Sequence, residues 1–321
     1  MLLLSGKNCC FIFYQNQRMI KIGIIGLGDI AAKAYLPVLS SKTGFEFHLC
    51  SRNEKRLQEL GDKYRFPDQH KTIAGLIASG IKAAFVNAAT EAHFELVKQL
   101  LEANIAVFVD KPISMIYAES KQLVELAEAR NLLLMVGFNR RYAPVYQQLK
   151  LEDPTLIIMQ KNRKSLPDFV RRFVVEDFIH VVDTLRYLFP YPIENLIVNG
   201  LKKDTMLHQL VIQFVAHSGE VAIGIMNRDT ATTEEKLEVM TATQKKTVYN
   251  IADLVLEENK NTIKLGTNDW ESTLYKRGFE QMTDDFLQAV ANNKPTQISA
   301  RDALFTHEIC ERIVEMLEKD G

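Results

Sequence analysis

Short apolar runs alternate with longer helical patterns through the first part of the chain. Between Ile20 and about Gly137 these runs are rich in β-branched residues, and the segments between them repeat apolar residues at helical spacing. We predict strands over residues 20–25, 45–50, 83–87, 106–109 and 132–136, with helices over 54–64, 92–103 and 114–130 between them. This alternation is typical of βαβ units around a parallel sheet.

The rhythm changes after Gly137, where strand patterns follow one another. We predict helices over 143–149 and 175–188, and strands over 156–160, 196–198, 207–216, 221–226, 235–241 and 245–250. Strands without helices between them indicate an antiparallel sheet. Two helices, over 279–292 and 300–319, end the chain, and Ser299 with Asp302 gives the second a start that resembles a capping box.

The predicted fold class is an α/β Rossmann-type doubly wound parallel sheet followed by an α+β C-terminal domain with an open, mostly antiparallel sheet. A chain of 321 residues exceeds one core of about 100 to 150 residues. We predict a Rossmann domain at 19–138 and a substrate and oligomerisation domain at 139–321, whose last helices pack back toward the first domain. Residues 1–18 are expected to be a disordered extension or a non-native start.

Composition excludes several classes of function. The chain is 47% apolar and 25% charged with a net charge of -1, and its basic residues form no long stripe, so no nucleic-acid partner is expected. No apolar run approaches the roughly 20 residues that cross a bilayer, so no membrane partner is expected either. The four cysteines show no Cys-x-x-Cys spacing, which favours a reduced, cytoplasmic setting and no metal site.

A glycine-rich segment, Gly26-x-Gly28-x-x-Ala31, follows the first predicted strand and opens a helix. Missing side chains there let a pyrophosphate approach backbone N–H groups at the positive end of the helix. The alternative is a tight turn without a ligand. We predict that a dinucleotide contacts the turn through Gly26, Leu27, Gly28, Asp29 and Ile30.

An NAD-selective site usually has an acidic residue at the end of the second strand, where it binds both ribose hydroxyls. The corresponding segment here, Cys50-Ser-Arg52, has no acidic residue. Ser51 and Arg52 instead offer a hydroxyl and a guanidinium, which suit a 2'-phosphate. NADP is therefore the preferred cofactor, or NAD and NADP are both used. The alternative is that Arg52 stacks over adenine or faces solvent.

Two charged residues, Asp110 and Lys111, follow a buried strand and precede Pro112. The carboxyl edge of a parallel sheet is where such folds hold ligands, and partial burial lowers the pKa of a lysine. The alternative is that Asp110 forms a salt bridge that caps the strand.

The helix after residue 174 carries Asp177, His180 and Asp183 at intervals of three, with Glu176 four residues before His180. Several ionisable side chains on one stripe of an apolar helix are costly to bury, which indicates a polar pocket. His180 is the candidate general acid and base, since the unperturbed pKa of histidine lies near neutral pH. The alternative is a core histidine with its hydrogen bonds satisfied.

The chain resembles the Gfo/Idh/MocA oxidoreductases from Met19 to the C-terminal helix, and within them the MviM branch. The resemblance is carried by Gly26-Leu-Gly-Asp-Ile-Ala-x-Lys-Ala-Tyr-Leu-Pro37, Asp110-Lys-Pro112, Gly137-Phe-Asn-Arg-Arg141 and His180-Val-Val-Asp183. It implies a site between the two domains and a sheet that often forms the dimer face. It also implies that Lys111 contacts the nicotinamide ribose and the reacting hydroxyl, that His180 moves the proton, and that Asp183 binds or orients substrate.

Three departures from the family pattern stand out. Asp110 replaces the usual Glu, and Glu176-Asp-Phe-Ile-His180 replaces Asp-x-Gly-x-His, so either Glu176 or Asp177 is the partner acid. The loop Ala88-Ala-Thr-Glu-Ala-His93 lacks the usual Thr-Pro. There Thr90 is expected to cap the helix while the backbone from Ala88 contacts the cofactor, and His93 is expected to be structural. With Arg141, the expected substrate-binding residues are Glu176, Asp177 and Asp183.

These observations together predict an NAD(P)-dependent oxidoreductase that transfers a hydride between nicotinamide and a secondary alcohol or carbonyl. A sugar or cyclic polyol is the expected substrate, with Lys111 and His180 as the catalytic residues and Asp110 at the cofactor. The alternative is a non-catalytic NADP(H)-binding regulatory or partner protein. The chain is expected to form a homodimer or homotetramer through its C-terminal sheet.

Overall fold

A computed structural model describes residues 19–266 and 268–319 of the chain. The predicted extension at 1–18 lies outside these residues. Six parallel strands form the first sheet, in the order β3-β2-β1-β4-β5-β6. They are β1 Ile20–Ile25, β2 Phe45–Cys50, β3 Asp68–His70, β4 Ala83–Val86, β5 Ala106–Val109 and β6 Leu134–Val136.

The helices that cover this sheet follow its strands in the chain. They are a π-helical turn Ala31–Tyr35 with α1 Leu36–Leu39, then α2 Glu54–Tyr64, α3 Ile73–Ala78, a 3-10 turn Thr90–Ala92 with α4 His93–Glu102, and α5 Tyr117–Ala129. The strand order reverses between β1 and β4, and ligands of doubly wound folds bind outside the carboxyl ends of the strands at such a point.

The second sheet has nine strands, in the order β15-β14-β13-β12-β7-β11-β10-β8, with β9 paired to β10. Its pairs are antiparallel except for β7 with β11, which confirms the predicted fold class. The strands are β7 Leu156–Asn162, β8 Asp168–Phe169, β9 Asn195–Lys203, β10 Met206–Val215, β11 Val221–Asn227, β12 Glu234–Met240, β13 Gln244–Tyr249, β14 Asp253–Glu258 and β15 Asn261–Leu265.

The remaining helices lie on one face of this sheet or beside the first domain. They are a 3-10 turn Asn139–Tyr142, α6 Pro144–Gln147, α7 Val170–Arg172, a π-helical turn Phe173–Phe178, α8 Ile179–Leu188, α9 Thr273–Lys276, α10 Phe279–Asn292 and α11 Ala300–Lys319. α8 packs on β7 and β11, and a Cβ on Gly224 would lie 2.8 Å from Val181. Gly224 therefore lets the helix approach the sheet closely. Among the described residues, no helix is long and apolar enough to span a membrane.

The structure differs from the sequence-based prediction mainly at short or polar elements. The pattern missed β3, α3, β14 and β15, since these segments are only 3 to 6 residues long and none of them is buried over most of its length. The predicted helix 175–188 is two segments, a π-helical turn and α8. The predicted start of α11 is correct, because the Ser299 hydroxyl accepts a 3.1 Å hydrogen bond from the Asp302 N–H.

Candidate functional site

The glycine turn after β1 is shaped for close backbone approach. Gly26 has φ +85°, and a Cβ there would lie 2.5 Å from the Ala88 backbone, so only glycine fits. A Cβ on Gly28 would meet nothing within 4 Å and would project into open space. The turn is held from outside by Arg56, whose Nε donates a 3.1 Å hydrogen bond to the Leu27 carbonyl. It therefore offers room for a pyrophosphate.

A cavity of about 930 Å³ extends from this turn along the carboxyl ends of β1, β2 and β4. Six of the predicted cofactor residues line it, namely Gly26, Leu27, Gly28, Ser51, Arg52 and Ala88. The sequence argument missed several of its other lining residues, which are Asn53, Arg56, Lys71, Thr72, Ile73, Asn87, Ala92, Glu95 and Leu96.

Five predicted cofactor residues are absent from the lining of this cavity, namely Asp29, Ile30, Thr90, Asp110 and Lys111. Asp29 is exposed, and Lys33, 2.5 Å away, lowers the pKa of its carboxyl. Ile30 is also exposed. Thr90 makes no side-chain cap at the helix that follows, so the capping prediction is wrong.

Asn87 is the strongest sign of a ligand in the cavity. Its side chain is 3% exposed and lines the cavity, yet neither the amide nitrogen nor the amide oxygen has a hydrogen-bond partner. A buried amide without partners costs about 1 to 3 kcal/mol. A dinucleotide with its own donors and acceptors would satisfy this amide, so the residues present fit the expected cofactor.

Gly28 allows a test of the nucleotide site that spares the fold. We expect Gly28→Val to keep the melting temperature of the free protein within about 2 °C, because the added side chain enters open space. Nucleotide affinity should fall at least about tenfold, because that space is where we predict the pyrophosphate to bind. Gly266→Val, at another glycine with open space around its Cβ, is the control and should bind nucleotide normally. Wild-type affinity in Gly28→Val would contradict the assignment.

His93 is buried beside the end of this cavity. Its ring nitrogens lie 2.8 Å from the Pro112 carbonyl and 3.1 Å from the Ala88 carbonyl. It thereby ties the loop after β4 to the segment after β5, which agrees with the structural role expected for it.

Asp110 and Lys111 follow β5, next to the end of β4 in the first sheet. Asp110 accepts a 2.9 Å hydrogen bond from the Tyr35 hydroxyl, and burial raises the pKa of its carboxyl. Lys111 Nζ donates a 2.6 Å hydrogen bond to the Glu176 carbonyl. Lys111 therefore joins the first domain to the helix of the second that carries His180.

His180 lies in the first turn of α8, half-buried and four residues beyond Glu176. Burial holds the pKa of its imidazole well below the usual value, and the cations Arg140, Lys161 and Lys111 lower it further. The ring is therefore neutral at neutral pH. A neutral imidazole is able to accept a proton.

Asp177, three residues before His180, is the centre of a charged cluster. Lys161 forms an ion pair with its carboxylate, both Nε and Nη2 of Arg163 lie 3.1 Å from it, and Arg228 Nη2 lies 2.8 Å from it. Burial alone would raise the pKa of Asp177, but Lys161 and Arg163 outweigh it and hold the pKa well below the usual range. Burial lowers the pKa of Lys161 to about 7, although the carboxylates of Asp177 and Glu235 favour its protonated form.

A second buried ion pair, Arg140 with Glu235, lies beside this cluster. The Arg140 guanidinium donates two hydrogen bonds to the Glu235 carboxylate, of 2.9 and 2.7 Å, and the Tyr146 hydroxyl donates a third, of 2.7 Å. Burial opposes ionisation, but Arg140 outweighs it and lowers the pKa of Glu235 to about 2.

Asp183 and Arg141, both expected to bind substrate, are buried against each other. Arg141 donates two hydrogen bonds to Asp183, of 2.9 and 2.6 Å, and the Thr306 hydroxyl donates a further one of 2.9 Å. Arg141 also pairs with Asp302. The helix therefore does not present Asp177 and Asp183 to one shared pocket. Substrate binding by Asp183 and Arg141 stays a prediction, and we leave both out of the proposed reaction.

Glu176 lies in the same π-helical turn as Asp177, and its side chain is partly exposed. Its carboxylate lies 3.3 Å from Arg172 Nε, and its backbone carbonyl accepts from Lys111. Of the two candidate partner acids, Glu176 is paired with one cation, the exposed Arg172. Asp177 is paired with three cations. Glu176 is therefore the acid that is freer to meet a ligand.

One group in the described residues has metal-ligand geometry, formed by Glu46, His48 and Asp68 on β2 and β3, whose ligand atoms lie within 4.8 Å of one another. Lys21 Nζ is 3.2 Å from Glu46, and His48 Nδ1 is 3.0 Å from His70 Nε2. The ammonium and the second imidazole already satisfy these groups, so we assign no metal to them.

Comparisons with known proteins agree with this arrangement. A sequence model described as "Oxidoreductase family, NAD-binding Rossmann fold" matches residues 20–138, and one described as "YceM-like, C-terminal domain" matches residues 144–259. The oxidoreductase YceM of Salmonella typhimurium is 30% identical over 95% of this chain and 99% of its own. Myo-inositol 2-dehydrogenase of Thermotoga maritima is 26% identical over 56% of this chain and 58% of its own.

The solved structures point the same way. The crystal structure of dehydrogenase MviM from Clostridium difficile superposes with a TM-score of 0.88 at 29% identity, and the match covers 92% of this chain and 99% of that one. The resemblance noted in the sequence is thus confirmed across both domains. The chain belongs to the Gfo/Idh/MocA family of oxidoreductases, with an NAD-binding Rossmann domain.

Proposed function

We propose that this oxidoreductase transfers a hydride reversibly between the nicotinamide of NADP and a secondary alcohol or its carbonyl form. One observation carries the proposal: Lys111 reaches from the end of β5 to the Glu176 carbonyl, one helical turn before His180. A cation at the carboxyl edge of the first sheet and a neutral imidazole near enough to feel its charge are the two groups that alcohol oxidation needs.

The roles of the side chains follow from their charges. The neutral ring of His180 takes the hydroxyl proton as the carbon loses its hydride, and in the reverse direction it returns that proton. The ammonium of Lys111 stabilises the negative charge that develops on the reacting oxygen. Glu176 holds a neighbouring hydroxyl, and Asp110 contacts the cofactor side of the site. When bound, the nicotinamide supplies the hydride acceptor or donor.

Cations at the ribose end of the cavity support the preference for NADP. Arg52 and Lys71 both line it, and the Ser51 hydroxyl accepts a 3.2 Å hydrogen bond from the Asn53 N–H. Lys71 has one exposed ion-pair partner, Glu54, at 2.9 Å. Two cations beside a hydroxyl suit a 2'-phosphate, which NAD lacks.

Nucleotide selectivity tests this preference. We expect the double variant Arg52→Ala, Lys71→Ala to bind NADP at least about a hundredfold more weakly, because it loses two charged hydrogen bonds, each worth about 1.5 kcal/mol or more. Its affinity for NAD should change less than about threefold. Fluorescence titration with NADPH and NADH measures both. Tighter binding of NADH than NADPH by the wild-type protein would contradict the preference.

The substrate class rests on similarity to a relative named for myo-inositol, which supports a sugar or cyclic polyol as substrate. The test is to follow the absorbance of NADPH with a panel of aldoses, ketoses and inosones that includes acidic and phosphorylated compounds. Substrate-dependent oxidation is expected. Tight nucleotide binding with inertness across the panel would favour the alternative, a non-catalytic NADP(H)-binding regulatory or partner protein.

We further propose a homodimer or homotetramer built on the second sheet. Exposed apolar side chains support it, namely Ile197, Leu201, Tyr249, Ile263 and Leu265 on β9, β13 and β15. The proposed location is cytoplasmic, and the free, buried thiols of Cys50 and Cys310 agree with a reducing compartment.

A further inference from the structure

Positive charge exceeds negative charge on the sheet side of His180. Three cationic side chains, Lys161, Arg163 and Arg228, converge on the single carboxylate of Asp177. Lys161 is near the end of β7 and Arg163 directly follows that strand, and both side chains bind Asp177 in the π-helical turn before α8. The reaction proposed above uses neither of them.

The nearby acids do not balance this charge. Asp168 lies 3.4 Å from Arg228 but is shared with Arg172, at 3.8 Å, and Glu176 is also bound to Arg172. Glu235 is taken by Arg140. Within the described part of the chain, Lys111 has no carboxylate within ion-pair distance, and the buried Nε of Arg228 has no hydrogen-bond partner.

Arg163 is the member of the cluster that a ligand is able to reach. Its side chain is 34% exposed, whereas those of Lys161 and Arg228 are each 4% exposed. Nε and Nη2 of Arg163 bind Asp177, and Nη1 makes no hydrogen bond to any residue that the structure describes. Arg163 also lies near enough to His180 to lower the pKa of the imidazole. A fixed guanidinium with free N–H groups suits a carboxylate or a phosphate.

We propose that the substrate carries an anionic group, a carboxylate or a phosphate, which Arg163 binds beside Lys111 and His180. This rests on the proposed function and narrows its substrate class from neutral polyols to sugar acids or sugar phosphates. Asp177 provides one negative charge to three cationic side chains. The bound anion supplies the negative charge that is missing. A buried charge without a counter-charge is costly, so the cluster favours an anionic over a neutral ligand.

The test uses the full chain saturated with NADP, so that the nucleotide's own phosphate sites are filled. Inorganic phosphate, D-gluconate and neutral sorbitol are titrated at constant ionic strength, and binding is measured by calorimetry. We expect saturable binding of at least one anion and at least about tenfold weaker binding in Arg163→Gln. Arg163→Lys keeps the positive charge but loses the planar guanidinium with its paired N–H donors. Its affinity for the anion should therefore lie between those of wild type and Arg163→Gln.

Arg171→Gln is the matched control, because Arg171 is 33% exposed and also ion-paired, but to Glu311 on α11. It should bind each anion as the wild-type protein does. Phosphate binding alone that depends on Arg163 identifies a phosphorylated substrate, and gluconate binding alone identifies a sugar acid. The proposal is overturned if neither anion binds saturably, or if both bind Arg163→Gln as tightly as wild type.

Failure of the proposed function gives a different result. In that case the protein with bound NADPH reduces none of a broad panel of carbonyl compounds, while the anion titrations of wild type, Arg163→Gln and Arg171→Gln still report on Arg163. Anion binding without turnover would keep the anion site and contradict only the reaction.

Discussion

Replacing His180 with glutamine should lower kcat by about two to four orders of magnitude, because general acid-base catalysis contributes about 10²- to 10⁴-fold. Lys111→Ala should lower kcat by a similar factor, since one charged group that stabilises a developing oxyanion contributes about 10²- to 10³-fold. Nucleotide affinity should be largely retained in His180→Gln. The rates come from single-turnover measurements with whichever carbonyl compound the wild-type enzyme reduces.

The pH dependence separates a catalytic His180 from a structural one. Because burial and neighbouring cations hold the pKa of His180 below 6.5, the ring is already neutral above that pH. Alcohol oxidation should therefore show its acid limb below the pH range of an ordinary histidine, and this limb should disappear in His180→Gln. His217→Gln, at a histidine 93% exposed on the surface, is the control and should leave both rate and profile unchanged. Unchanged turnover in both His180→Gln and Lys111→Ala would refute the assignment.

Most strands of the first sheet could be predicted from the sequence because they are rich in apolar residues, and only the polar edge strand β3 was missed. The bounds of β1, β2 and β5 were predicted correctly, and each is buried over most of its length. By contrast β15 is exposed at every residue, so no buried face marks it in the sequence. A strand whose stability comes from its backbone pairing with β14 leaves little hydrophobic signal.

Only those parts of the candidate site that lie within one continuous segment of the chain could be predicted from the sequence. The glycine turn and the pair Asp110 and Lys111 are local motifs at strand ends, and the structure places both beside β4. Lys161 and Glu235 are on two strands of the second sheet and Arg228 directly follows a third, and no spacing along the chain indicates that they meet. The prediction that Asp177 and Asp183 share a pocket assumed regular α-helical spacing. The π-helical turn before α8 changes that spacing. The one available sign of this charged cluster in the sequence was the pair Lys161 and Arg163, which occupy alternate positions at the end of an apolar strand pattern.

The buried pair of Arg140 and Glu235 should dominate the stability of this region. Glu235→Gln leaves the buried Arg140 guanidinium without its counter-charge, and breaking such a pair costs about 3 to 5 kcal/mol. The pKa of Glu235 gives the same size of effect, because its decrease from 4.5 to about 2 corresponds to about 3 kcal/mol. Urea unfolding at pH 7, compared between wild type and variant, measures this loss.

The pH dependence of that difference tests the electrostatic origin of the loss. A carboxyl whose pKa is lower in the folded state stabilises the protein above its unfolded pKa, and this stability is lost as the pH falls through the folded pKa. The difference between wild type and Glu235→Gln should therefore be constant above about pH 5 and shrink from there toward about pH 2. Glu238→Gln is the control on the same strand, since its partners Lys236 and Lys245 are 31% and 37% exposed, and it should cost less than about 1 kcal/mol. Equal losses in the two variants, or a difference that does not change with pH, would show that the Arg140 and Glu235 pair contributes through packing and not through charge.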